Sequence, residues 1–152
     1  MAGKFTRKFD KKIMKKPLPE DSETDEQRRE RLTTEKFGAE MARIMERLDY
    51  RADFLKERFP DMLHETDGIS GSKYIFQPSS DRPRKGFLEF TLRPTGTLEA
   101  LTVKMEMEID GVCEKKSDYI TFPVNKVDLE KANAFIEQSI FEFARLYTEG
   151  PP

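Results

Sequence analysis

The chain has 152 residues, enough for one domain with tails, and 37% of them are charged, so its apolar residues must gather into defined stripes to form a core. Its balance is −2, but residues 1–16 carry seven cations against Asp10 alone, a net +6, which leaves −8 over the rest. No apolar run reaches the length of a membrane span, no apolar core follows the basic N-terminus as in a signal peptide, and a lone cysteine excludes an intrachain disulfide. A cytoplasmic location is the expectation from the unpaired cysteine.

Residues 1–24 read as a basic arm without its own core, interrupted by Pro17 and Pro19. Phe5, Phe9 and Ile13 recur every four residues among the lysines, a spacing that puts them on one helical face if the arm folds on a partner. Lys4, Phe5, Arg7, Lys8, Phe9, Lys11, Lys12, Lys15 and Lys16 are therefore candidate partner-binding residues. Cations with interleaved rings suit a protein partner, nucleic acid phosphates or an anionic membrane.

A single domain is expected over 25–149. Its first element is a long helix over 25–59, with Ser22, Thr24 and Asp25 as candidate caps and Phe37, Met41, Ile44, Met45, Leu48, Ala52, Leu55 and Phe59 at helical spacing. Pro60 ends it. The Phe37, Met41 and Met45 stripe is core in the simpler account and a subunit contact in the other. Residues 61–71 read as a loop.

Four strands follow: 73–77, 86–93, 98–109 and 118–122. The third alternates Leu101, Val103, Met105, Met107 and Ile109 with polar residues, which predicts an antiparallel sheet with one wet face. The last helix spans 128–147, capped by Asn125 or Asp128 and striped by Leu129, Ala132, Phe135, Ile136, Ile140, Phe143, Leu146 and Tyr147. The fold class is α+β: a long N-terminal helix, a four-stranded antiparallel meander and a C-terminal helix, in two layers with both helices on one face of the sheet.

Three groups invite a chemical reading. His64, the sole histidine, lies near Glu65 and Asp67, and the simpler account is a solvated loop residue. Cys113 adjoins Lys115 and Lys116, which favour a thiolate, and a cysteine–histidine pair with His64 is one enzymatic option. Glu106, Glu108 and Asp110 line one face of the third strand, with Lys104 and Arg93 as candidate neutralising partners. No phosphate-binding loop and no Cys-x-x-Cys occurs, and no cofactor is expected.

The order helix–sheet–helix and the acidic body resemble the small acidic chaperones of type III secretion, which are dimers; no motif is shared. The apolar stripes and the charge asymmetry, unusual where the polar residues are ordinary, favour a non-enzymatic protein-binding module of adaptor or chaperone-like type, with a homodimer as one form of it. The alternatives are a small enzyme using His64 with a carboxylate or Cys113, and a nucleic-acid-associated protein tethered by its arm.

Overall fold

A computed structural model describes residues 23–79 and 84–149. The arm residues singled out above lie outside that range. Helix α1 spans Asp25–Arg58, strand β1 Leu63–Thr66, β2 Gly71–Phe76, β3 Gly86–Thr95, β4 Ala100–Ile109, β5 Cys113–Pro123, and helix α2 Leu129–Glu149. The chain is α+β in the order helix–sheet–helix. The described residues up to Glu35 and those from Lys36 onward fall in two compact units.

In the first unit, Thr24 caps α1 reciprocally. Its hydroxyl accepts from the Gln27 N–H, and the Gln27 amide oxygen accepts from the Thr24 N–H, both at 3.0 Å. Arg31 forks onto Glu23, at 2.9 and 3.2 Å, and reaches Glu35 one turn on at 3.1 Å. The hydrogen bond from Arg31 holds the Glu23 carboxyl below its ordinary range.

In the second unit the sheet has five strands in the order β1-β2-β3-β4-β5, every neighbour antiparallel. Four were expected. The extra one, β1, falls in the stretch read as a loop, because Leu-His-Glu-Thr carries one apolar side chain and no alternation. Its pairing comes from the following turn. The Asp67 carboxylate accepts main-chain N–H groups from Ile69, Ser70 and Gly71 at 2.8, 2.8 and 3.0 Å, and Gly68 takes a positive φ of 74° that a side chain resists. Thr66 then faces Ser72, and His64 faces Tyr74.

Strand β3 runs on through Pro94 to Thr95, beyond the end expected at 93. Pairing with β2 ends at Thr91, so the proline interrupts no ladder on that side. Strand β5 begins at Cys113, earlier than expected, after a register shift between Met107 and Ile109 of β4.

The core lies on one face of the sheet. Tyr74, Phe76, Leu88, Phe90, Leu101, Val103, Met105 and Met107 are buried there. The Tyr74 hydroxyl donates to the Leu48 carbonyl of α1 at 2.6 Å, and the Phe76 ring meets Phe143 of α2 with centroids 4.7 Å apart. Phe37, Met41 and Met45 are buried within this chain, so that stripe is core and not a subunit contact. Gly86 starts β3 where a Cβ would meet the Glu108 carbonyl at 3.0 Å and the Phe143 ring at 3.3 Å. Asp128 is the residue that caps α2, accepting from the Lys131 N–H at 3.1 Å.

Candidate protein-binding groove between the helices

The segments of α1 and α2 that meet run side by side in one direction, and two clefts open between them. Arg43, Glu46, Arg47 and Tyr50 share the first, of about 460 Å³, with Leu129 and Asn133. The second, of about 470 Å³, is lined by Phe54, Leu55 and Phe59 from the α1 side and Ile140, Phe141 and Ala144 from α2. Between them Glu137 of α2 accepts from Arg51 at 2.6 Å and lies 4.0 Å from Arg47.

Large apolar rings stand out of this surface. Phe141 is 72% exposed, Tyr50 51% and Phe54 47%. Tyr50 and Phe54 are one helical turn apart and pack edge to face at 5.1 Å. The Arg51 guanidinium sits over both rings, 5.7 Å from Tyr50 and 5.2 Å from Phe54, and Arg47 adds a second cation 5.8 Å from Tyr50. Aromatic and arginine side chains are the types most enriched at protein interfaces. Glu57 and Arg58, adjacent and exposed, complete the rim.

None of the three rings falls on the helical stripes legible in the sequence, which are those of the core, and Phe141 lies between Ile140 and Glu142. The usable signal was the Tyr50, Phe54 pair at a spacing of four, off the buried stripe and interleaved with Arg47 and Arg51.

The residues singled out for chemistry are not brought together as an active centre. His64 is half-buried on β1, with its ring stacked on Tyr74 at 5.2 Å. Its Nε2 shares a hydrogen bond of 2.7 Å with the Ser72 hydroxyl, and Asp49 Oδ1 approaches the same nitrogen at 4.0 Å. A nucleophilic relay needs the nucleophile and the orienting carboxylate on opposite nitrogens of the imidazole base, and it needs an open nucleophile. Here both partners meet one nitrogen, and Ser72 is 1% exposed. Burial lowers the His64 pKa, with Lys56 adding to it and Asp49 opposing. The main chain of Glu65 pairs with Lys73 of β2.

Cys113 begins β5 at the opposite edge of the sheet. Four interstrand spacings separate that strand from β1, on the order of 20 Å, so the thiol and imidazole cannot act as a pair. Cys113 Sγ donates to the Glu114 carbonyl. Glu106 lies 3.9 Å from Lys104 and 3.5 Å from Lys115, while Arg93 pairs with Thr102, so the second neutralising cation is Lys115. Among the described residues no group of three His, Cys, Asp or Glu side chains could hold a metal, and no helix is long and apolar enough to cross a membrane.

No protein family, curated protein or solved structure matches the chain.

Proposed function

We propose that this protein is a protein-binding module of adaptor or chaperone-like type, and that its recognition surface is the groove between α1 and α2. The observation that carries this reading is the exposure of Tyr50, Phe54 and Phe141 around an apolar cleft with an arginine-bearing rim. Isolated exposed apolar side chains are ordinary, whereas clustered rings beside a cleft gain most by being covered. A partner's apolar side chains would enter beside Phe54 and Ile140, and the Arg51–Glu137 bridge would set their position along the groove.

Capture from a native lysate tests the reading, using the full chain and a Phe54→Glu, Phe141→Glu variant whose circular dichroism matches the parent. Proteins held by the parent, lost by the variant and unaffected by nuclease support the groove. An identical captured set with both proteins, from a parent that is monomeric, removes it. Loss on nuclease treatment, together with loss on deletion of residues 1–16, would move recognition to the arm and to nucleic acid.

A further inference from the structure

We infer that the groove's partner is a second copy of this chain, giving a two-fold homodimer; this deepens the reading above and rests on it. The first support is shape. Phe141, the most exposed large apolar side chain among the described residues, projects from α2 at the edge of the apolar cleft that it lines with Phe54, Leu55, Ile140 and Ala144. A protrusion next to a depression is the arrangement a two-fold axis satisfies twice at once. Each Phe141 enters the other protomer's cleft, and each cleft is filled.

The second support is charge. The cleft's four charged lining residues are Arg51, Arg58, Glu57 and Glu137, two of each sign. Arg51 and Glu137 already neutralise each other at 2.6 Å. That leaves Glu57 and Arg58, adjacent, exposed and opposite in sign. An axis passing between them sets each Arg58 against the other protomer's Glu57. A strongly acidic or basic partner would find no matching field on this rim, whereas a second copy supplies the complement of each charge. The desolvated centre of such an interface is aromatic and its edge polar.

Sedimentation velocity of the full chain across micromolar to submillimolar concentrations tests this, alongside Phe141→Glu, Glu57→Arg and Arg58→Glu. The parent should sediment as a monomer–dimer equilibrium. Phe141→Glu should weaken dimerisation by about 30-fold or more, as expected when a buried aromatic anchor is lost. Each charge variant alone places like charges together and should favour the monomer. An equimolar mixture of Glu57→Arg and Arg58→Glu should recover the dimer, since one protomer then offers two cations and the other two anions.

A parent that stays monomeric throughout overturns the inference, and so does a dimer untouched by Phe141→Glu. The two proposals fail separately. A monomeric parent that still loses a captured protein through Phe54→Glu, Phe141→Glu keeps the groove as a binding surface for a different chain. A monomeric parent whose captures ignore those substitutions ends both.

Discussion

A carboxylate that accepts three main-chain N–H groups is hard to protonate, and Asp67 is such a group. Those bonds, with a fourth from the Ser70 hydroxyl at 3.0 Å, bring its pKa down to about 2. A folded-state pKa below the unfolded value means stability that is present above about pH 4 and lost as the pH falls towards 2. The side chain is exposed, so the contribution is a screened one. Asp67→Ala should cost about 1 kcal/mol near neutral pH, in the range of a lost cap. Urea titrations at pH 7, 4 and 2.5 check this: the gap between parent and variant should narrow with acid, and a constant gap contradicts it. His64 acts over a different interval. Its lowered pKa makes the unfolded chain bind a proton that the folded chain refuses, so acidification from pH 7 through about 6.5 costs stability. His64→Gln should flatten the unfolding profile between pH 7 and 5, and an unchanged slope would show that the imidazole is not its source.

The elements differ in how plainly the sequence announces them, and the reason is what each one buries. Strand β4 sends five apolar residues to the core in strict alternation, and the stripes of α1 and α2 are equally regular, so all three were legible. Strand β1 buries no large apolar side chain and owes its pairing to the hydrogen bonds of Asp67, which no periodicity reveals. The groove was illegible for a related reason: Phe54 and Phe141 are apolar residues that do not belong to the core. Strand β5 shows a further device. The Val124 N–H donates to the Glu99 carbonyl, and the alternation of the ladder from that bond turns the Tyr119 N–H away from β4. Asp118 Oδ1 takes that N–H at 2.8 Å, and Lys115 adds an exposed charge to the same strand. A docking strand would have to break the first and desolvate the second. Replacing both, Lys115→Thr with Asp118→Thr, should open the edge and produce species larger than a dimer in multi-angle light scattering. An elution profile equal to the parent's counts against this role. In the neighbouring pair, Gly86→Ala drives a methyl towards the Glu108 carbonyl and the Phe143 ring and should destabilise by about 1–3 kcal/mol in urea; a neutral result would mean that β3 shifts freely.

Charge on the whole chain offers a second route to self-association, because an arm of +6 and a body of −8 attract between molecules as well as within one. The two routes separate by salt. At 0.5 M ionic strength the screening length is a few ångströms, so exposed charges on separate molecules barely sense each other. Phe141 entering an apolar cleft is insensitive to that screening, which weakens only the exposed Arg58–Glu57 pairs at the rim. A dimer also stabilises the fold by mass action. Above the dissociation constant, a tenfold rise in protein concentration adds about 1.4 kcal/mol per dimer. For two domains of this size unfolding together, that raises Tm by about 3 °C. Scanning calorimetry at two concentrations a decade apart, in 0.05 and 0.5 M salt, should therefore show the same rise in both buffers for the parent. A chain lacking residues 1–16 should show it too, and Phe141→Glu should not. A rise confined to low salt and abolished by removing residues 1–16 would assign self-association to the arm and leave the aromatic groove without a second copy.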